Sequence, residues 1–307
     1  MSRIYEALQR ADLERKTGSA SEVESLAETV VTSDGEALPT TSVEFGFENI
    51  ARHPWKPSAS CLPSLTDRGA AVEQFRSLRS RVCQVRYEAP LKTILVSSGM
   101  PSEGKSFVAA NLAMCLARDG ANKILLIDAD LRRPSLHSLL GAPNTPGLSE
   151  YLEGTAELID ILQRDSGSQA AENTSMGSVS NLTFIPSGKH RDNSSELLAS
   201  HRIEELIAAL TPHFDWIVID SPPVLVVTDA VDLARAVDAV LLIAREAYTP
   251  FDVAQRAQAA FSKFRILGFV LSAVKHFEHK GYDSSYYYGE QEAGHKAKRG
   301  KDKRSRT

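Results

Sequence analysis

One short segment constrains the fold of this chain more than any other. Residues 97–106 read Ser-Ser-Gly-Met-Pro-Ser-Glu-Gly-Lys-Ser, follow an apolar run and precede an Ala/Leu-rich helical pattern from Phe107 to Arg118. They match G-x-x-x-x-G-K-[ST], the phosphate-binding P-loop, in which a glycine-rich turn points successive backbone N–H groups at phosphate oxygens. The helix that begins near Lys105 adds the positive end of its dipole. The segment predicts a nucleoside triphosphate site.

The P-loop pattern also assigns tasks to individual residues. The Lys105 ammonium is expected to reach the β- and γ-phosphates, and the Ser106 hydroxyl is expected to ligate Mg²⁺. The predicted nucleotide-binding set is Gly99, Met100, Pro101, Ser102, Glu103, Gly104, Lys105, Ser106 and Phe107.

Two further predicted strands end in acidic residues. Residues 124–130 read Ile-Leu-Leu-Ile-Asp-Ala-Asp, and residues 216–223 read Trp-Ile-Val-Ile-Asp-Ser-Pro-Pro. Ligands of open α/β sheets bind beyond the carboxyl ends of the strands, so Asp128, Asp130 and Asp220 should converge on the phosphates. Such acids can ligate Mg²⁺ directly or through water, and one can accept a proton from an attacking hydroxyl. Any single one is equally typical of a helix cap or a turn.

Apolar runs alternate with helical patterns from residue 67 onwards. Strands are predicted over 93–97, 123–128, 182–186, 216–220, 239–244 and 267–273. Helices are predicted over 105–119, 148–163, 195–210, 229–236 and 251–264, after a helical stripe of Val72, Phe75, Leu78, Val82 and Val85. This alternation predicts an α/β fold of the P-loop NTPase type, with a doubly wound, mostly parallel sheet and helices on both faces.

The two ends of the chain differ in charge from the centre. Residues 17–51 hold seven acids and no Lys or Arg, whereas residues 296–306 hold seven basic residues and one Asp. We therefore divide the chain into an amphipathic helix and flexible acidic linker (1–66), a P-loop domain with order beginning near Asp67 (67–276) and a flexible tail (277–307). The polar stretch 165–180 is interpreted as a flexible surface insertion.

The remaining composition is ordinary for a soluble protein. The chain has 42% hydrophobic and 24% charged residues, and no apolar run approaches 18 residues. Its three cysteines follow no metal or redox spacing, which favours reduced thiols in a cytoplasmic protein. Membrane association is expected only through a partner or the basic tail.

Four tyrosines stand within seven residues near the carboxyl end: Tyr282, Tyr286, Tyr287 and Tyr288. Their polar neighbours argue against a buried strand, so the phenols should be accessible. An isolated aromatic cluster would favour a binding surface. Beside an ATP site, phosphate acceptors become the better interpretation.

Together these motifs resemble those of the bacterial tyrosine kinases, the cytoplasmic autokinases of exopolysaccharide and capsule assembly. The resemblance covers residues 67–290, with 98–106 as Walker A, 126–134 as Walker A′ and 218–223 as Walker B. Glu73, Arg76 and Arg79 are similar to that family's E-x-x-R-x-x-R motif, which joins subunits into a ring, although such a stripe alone is typical of a solvated helix face. Residues 1–8 resemble the start of exosortase-associated members. One departure is Ser194, where the family motif N-P-x-E-L-L has proline.

The resemblance implies a mechanism and a set of partners. Lys105 neutralises phosphate charge, Ser106, Asp130 and Asp220 organise Mg²⁺, and Asp128 orients or deprotonates the incoming tyrosine. ATP is the donor, and the tail of one subunit is phosphorylated in the site of another. The implied partners are a separate transmembrane activator or polysaccharide co-polymerase at the inner face of the membrane and a tyrosine phosphatase, with no nucleic acid.

Two other functions stay open on the sequence alone. Switch ATPases of the partitioning or division-site type carry an extra lysine five positions before the P-loop lysine, and Met100 stands there instead. A non-catalytic, nucleotide-binding regulator of a polysaccharide exporter is the other alternative. The intact Lys105, Ser106 and three strand-end acids argue against it.

Overall fold

The structure is a computed structural model that describes residues 47–57, 60–66, 68–118, 120–167 and 181–274. Within them the chain builds one eight-stranded sheet in the order β1-β4-β5-β3-β6-β2-β7-β8. The strands are β1 (Ala51–His53), β2 (Thr93–Ser98), β3 (Ile124–Asp128), β4 (Gln163–Asp165), β5 (Leu182–Ile185), β6 (Trp216–Asp220), β7 (Ala239–Arg245) and β8 (Ile266–Ser272). All neighbours are parallel except the antiparallel pair β4 and β5.

Helices lie between the strands along the chain. They are α1 (Ala70–Glu88), α2 (Lys105–Ala117), α3 (Leu136–Leu140), α4 (Leu148–Glu153), α5 (Leu158–Ile161), α6 (Ser194–Leu198), α7 (His201–Leu210), α8 (Asp229–Leu233) and α9 (Phe251–Ala260). Short 3₁₀ turns occupy Phe47–Asn49, Pro63–Leu65 and Ala234–Ala236. No helix in the described part of the chain is both long and apolar enough to cross a bilayer.

The central strands bury both of their faces. On one face Ile94 and Val96 of β2 pack with α1 and α2, and on the other Leu95 packs with α7 and α9. Strands covered on both sides read as continuous apolar runs, which is why the sequence pattern located them. The doubly wound, mostly parallel sheet is confirmed.

The six predicted strands are present, and the differences lie in short elements. Strands β1 (Ala-Arg-His) and β4 (Gln-Arg-Asp) lack apolar alternation, so no periodicity marks them. The predicted helix 148–163 is divided into α4 and α5, and 195–210 into α6 and α7. Helix α3, only five residues long, has no prediction to match it.

The predicted boundary of order near Asp67 is wrong. Residues before it pack into the core, because Trp55 is 2% exposed and lies edge-on to Phe184, while Leu62 is fully buried. The Ser64 N–H donates to Asn111 Oδ1 of α2 at 3.0 Å. These anchors are isolated apolar residues in a polar, proline-containing stretch, and only tertiary contacts reveal their burial. The predicted amphipathic helix near the start of the chain, most of the acidic linker and of the insertion 165–180, and the tail lie outside the described residues.

Candidate nucleotide-binding site

A cleft of about 520 Å³ opens at the carboxyl ends of the adjacent central strands β3, β6 and β2. Its lining residues are Pro101, Ser102, Gly104, Lys105, Ser106, Phe107, Asp130, Arg132, Arg133, Ser135, Pro222, Pro223, Val226 and Val227. The three predicted motifs therefore meet at one edge of the sheet. This is the edge at which open α/β sheets bind ligands.

The P-loop is held in shape from inside by Glu103. This side chain is fully buried, and its carboxylate accepts the Met100 N–H at 2.7 Å and the Thr249 hydroxyl. The Ser272 hydroxyl donates to the Glu103 carbonyl at 2.6 Å. The sequence predicted that Glu103 belongs to the phosphate-binding set, whereas in the structure its side chain stabilises the conformation of the P-loop. Thr249 and Ser272 were missed, because nothing local links them to the loop.

The glycines of the loop meet two different requirements. Gly104 has φ +96°, in the left-handed region that favours glycine. A Cβ at Gly99 would lie 2.9 Å from Val253 Cγ1 of α9, closer than real side chains approach. Glycine is therefore required at Gly104 by the backbone conformation and at Gly99 by the close contact with α9.

Asp220, at the end of β6, is a buried acid with unsatisfied oxygens. It is fully buried, and neither carboxylate oxygen makes a well-formed hydrogen bond within the described residues. Burial raises the pKa of Asp220 to about 7, against the opposing influence of the Lys105 ammonium and the Ser106 hydroxyl. A buried carboxylate that has no well-formed hydrogen bond and faces a lysine and a hydroxyl is suited to a bound cation.

Asp128, at the end of β3, is also fully buried but is well satisfied. Its Oδ2 accepts the N–H groups of Ser135 at 3.1 Å and Leu136 at 3.0 Å, where α3 begins. Its Oδ1 accepts the Asp130 N–H at 3.3 Å. Burial, with repulsion from Asp220 and Asp130, raises the pKa of Asp128 well above its usual range. Asp128 does not line the cleft, so its position matches the helix-cap interpretation.

Asp130 is the acid that lines the cleft. It is 5% exposed, and its Oδ1 accepts the Arg133 N–H at 3.0 Å. Burial raises the pKa of Asp130, while the Lys105 ammonium partly offsets that effect. In the Walker A′ segment, Asp128 therefore stabilises the loop after β3, and Asp130 faces the cleft.

Comparisons with known proteins agree with this geometry. A family model described as an AAA domain matches residues 91–256. The tyrosine-protein kinase YwqD of Bacillus subtilis is 33% identical over 71% of this chain and 86% of its own length. The chain belongs to the family of bacterial tyrosine-protein kinases.

Other members of this kinase family extend the comparison. The tyrosine-protein kinase wzc of Salmonella typhimurium is 32% identical over 71% of this chain, which spans only 29% of that longer protein. Among solved structures, the kinase domain of the Escherichia coli tyrosine kinase ETK has a TM-score of 0.57 and 32% identity, covering 69% of this chain and 81% of that one. The chimerical protein CapA2B2 has a TM-score of 0.62 and 27% identity, with coverages of 70% and 90%. The P-loop NTPase fold, with its ATP-binding site, is therefore shared with the kinase family.

The oxygen ligands present fit a magnesium ion. No group of three or more His, Cys, Asp or Glu within the described ranges is arranged to hold a metal by itself. Mg²⁺ in phosphate-transfer sites keeps several waters and takes oxygens from the nucleotide, so one or two protein ligands suffice. The orphaned oxygens of Asp220, close to Ser106, meet that requirement.

The predicted assembly motif lies on α1, and none of its three residues lines the cleft. Glu73 is exposed, Arg76 is half-buried, and the two form an ion pair with each other. Arg79 donates to the Cys115 carbonyl of α2 at 3.4 Å, so it is partly committed to its own subunit. The four tail tyrosines lie outside the described residues.

A second group near the cleft was missed by sequence reasoning. Arg132 Nε donates to Asp229 Oδ2, and Arg132 Nη2 donates to Ser195 Oγ. The only signal was the position of Arg132 inside the Walker A′ segment. Ser195 and Asp229 come from helices α6 and α8, and no local pattern connects them.

Proposed function

We propose that this chain is an ATP-dependent protein-tyrosine autokinase. The observations that carry the proposal are the chain's membership of the tyrosine-protein kinase family and, in its P-loop site, the buried Asp220 carboxylate beside Lys105 and Ser106. Asp220 is a buried acid whose oxygens make no well-formed hydrogen bond. Such an acid costs stability in the free protein and is compensated when a cation binds.

The donor side of the reaction is assigned to the P-loop and its neighbours. The loop N–H groups and Lys105 bind the β- and γ-phosphates. Ser106 and Asp220 would hold Mg²⁺, which when bound neutralises charge on the phosphates. Asp130 supplies a further oxygen at the mouth of the cleft.

The acceptor side needs a group that takes the phenol proton. The sequence expectation gave this task to Asp128, but its oxygens accept three backbone N–H groups. Asp130 lines the cleft, and its burial raises its pKa and so strengthens it as a base. We therefore assign proton acceptance to Asp130, and to Asp128 the support of the loop that carries it.

The acceptors are the tail tyrosines of another subunit: Tyr282, Tyr286, Tyr287 and Tyr288. A ring assembled through Glu73, Arg76 and Arg79 of α1 would present one subunit's tail to the next. Each phosphate adds about −1.5 to −2 charges, enough to weaken further docking of that tail.

The proposed setting is the cytoplasmic side of a polysaccharide exporter. A transmembrane polysaccharide co-polymerase with an activating cytoplasmic segment is the proposed partner, and a tyrosine phosphatase resets the tail. Cycles of ring assembly and breakdown then control polymerisation and export. The family resemblance supports this setting.

The test is a mixing experiment with γ-labelled ATP and Mg²⁺, with and without the partner's cytoplasmic segment. A Lys105→Met chain keeps its tail but loses its donor site, and a chain with phenylalanine at positions 282, 286, 287 and 288 keeps its donor site. Neither labels alone, but their mixture labels the Lys105→Met chain on tyrosine, with at least about a 100-fold gain over that chain alone.

Two variants serve as controls. Lys263→Met removes an exposed lysine from the loop after α9, and Tyr87→Phe removes a phenol that is 91% exposed. Both should label as the unmodified chain does. Phosphate release without protein labelling would overturn the kinase in favour of a switch ATPase, and neither product would favour a nucleotide-binding regulator.

A further inference from the structure

Three side chains from separate segments form a closed hydrogen-bonded ring at the rim of the cleft. Arg132 Nε donates to Asp229 Oδ2 at 3.1 Å, and Arg132 Nη2 donates to Ser195 Oγ at 2.6 Å. The Ser195 hydroxyl in turn donates to Asp229 Oδ1 at 2.6 Å. Both oxygens of Asp229, which is 1% exposed, are therefore engaged by this ring. The ring fixes the Walker A′ loop to α6 and α8.

The ring orients the guanidinium of Arg132 and leaves some of its N–H donors available to a ligand. Arginine carries five N–H donors, and the ring engages two of them. The side chain is 41% exposed and lines the cleft. A planar guanidinium held in one orientation is suited to a carboxylate or phosphate, because its remaining donors need little further ordering.

The cleft lining outside the P-loop combines apolar and basic side chains. Pro222, Pro223, Val226 and Val227 give it apolar surface, and Arg133 adds a second exposed guanidinium. An apolar wall suits a phenol ring, and paired guanidinium groups suit acidic residues next to it. This part of the lining is therefore complementary to a tyrosine with acidic neighbours.

The segment of the tail tyrosines has that composition. Asp283 directly follows Tyr282, and Glu290 and Glu292 follow Tyr288 closely; Lys280 precedes Tyr282, and the run of seven basic residues begins only at Lys296. We propose that Arg132, positioned by Ser195 and Asp229, is the specificity residue of the acceptor site and binds these tail carboxylates of a second copy. This inference rests on the proposed kinase function and names the substrate class of the same cleft.

The test uses full-length chains in the mixing assay. The acceptor is the Lys105→Met chain, with its native tail or with Asp283→Asn, Glu290→Gln and Glu292→Gln together. The enzyme is the chain with phenylalanine at the four tail positions, with or without Arg132→Lys. Lysine keeps a cation next to buried Asp229 but cannot bind both Asp229 and a tail carboxylate with a planar fork. The matched control is Arg235→Lys, the same change at an exposed pair with Asp232 on the neighbouring turn.

The enzyme that retains Arg132 should phosphorylate the native tail with a kcat/KM about tenfold higher than that for the tail with the three Asn and Gln substitutions. Arg132→Lys should abolish that preference and leave the KM for ATP within about twofold. Arg235→Lys should keep the preference. Ser195→Ala should weaken the preference for the native tail by a smaller factor. If thermal unfolding shows that Arg132→Lys does not fold, the Ser195→Ala result tests the proposal instead.

Other outcomes overturn the inference in distinguishable ways. Equal labelling of both tails by the unmodified enzyme removes the acceptor specificity but leaves the kinase proposal intact. A raised KM for ATP, or an equal loss of kcat on both tails in Arg132→Lys, would place Arg132 on the donor side. Labelling of neither tail by the unmodified enzyme would refute the kinase function itself.

Discussion

The carboxyl ends of β3 and β6 show how one sequence pattern produces two different sites. Asp128 and Asp220 end neighbouring parallel strands, and their Cα atoms are direct partners in the sheet register. Both acids are fully buried. Yet Asp128 accepts three backbone N–H groups, whereas Asp220 has no well-formed hydrogen bond among the described residues.

The difference arises from the residues on the carboxyl side of each strand. After β3 the chain turns back, so that the first N–H groups of α3, from Ser135 and Leu136, point at Asp128. After β6 come Ser221, whose N–H donates to the Val96 carbonyl of β2, and then Pro222 and Pro223, which have no N–H. The Asp220 carboxylate thereby faces Lys105 and Ser106. The loop after a strand decides whether the terminal acid of that strand supports the fold or serves a ligand.

The largest effect should come from Asp220→Asn. The amide is a poor ligand for Mg²⁺ and lacks the charge, so labelling in the mixing assay should fall by at least about 100-fold. The same change should cost little stability in the nucleotide-free protein, because it removes a buried carboxylate whose oxygens make no well-formed hydrogen bond, although it also removes the charge that faces Lys105. Urea unfolding without Mg²⁺ measures this second part. A clear loss of stability would show that Asp220 has an internal partner.

The matched change at the neighbouring strand, Asp128→Asn, should act on stability. An amide has one acceptor oxygen where the carboxylate has two, so it leaves a backbone N–H at the start of α3 or at Asp130 unsatisfied. The expected cost is about 1–3 kcal/mol in the free energy of unfolding, measured by the same urea titration. If Asp128→Asn instead unfolds like the unmodified chain and loses all labelling, Asp128 is the proton acceptor and the assignment to Asp130 is wrong.

The sequence could locate these acids but not distinguish them. Apolar strands ending in Asp are a local pattern, and it correctly predicted that the P-loop and the Walker A′ and B strands meet at one edge of the sheet. The donors to Asp128 come from residues seven and eight positions later, in a helix too short to leave a periodic signal. Burial of Trp55 and the ring of Arg132, Ser195 and Asp229 depend on contacts between distant segments, which no local pattern encodes.

The smallest effect separates the two acids by pH. Burial raises the folded-state pKa of Asp220 from 3.8 to about 7, so the folded protein binds a proton more tightly than the unfolded chain does. Stability from this group is therefore greatest at low pH and is lost as the pH rises through 7. Without Mg²⁺ and nucleotide, the free energy of unfolding should fall by about 1 kcal/mol more between pH 6 and pH 8 in the unmodified chain than in Asp220→Asn. The pKa of Asp128 is raised too, and that residue is present in both proteins, so the difference reports the loss of Asp220 and its repulsion of Asp128. If urea titrations give the same pH dependence of the free energy of unfolding in both proteins, the pKa of Asp220 is not raised in the folded state.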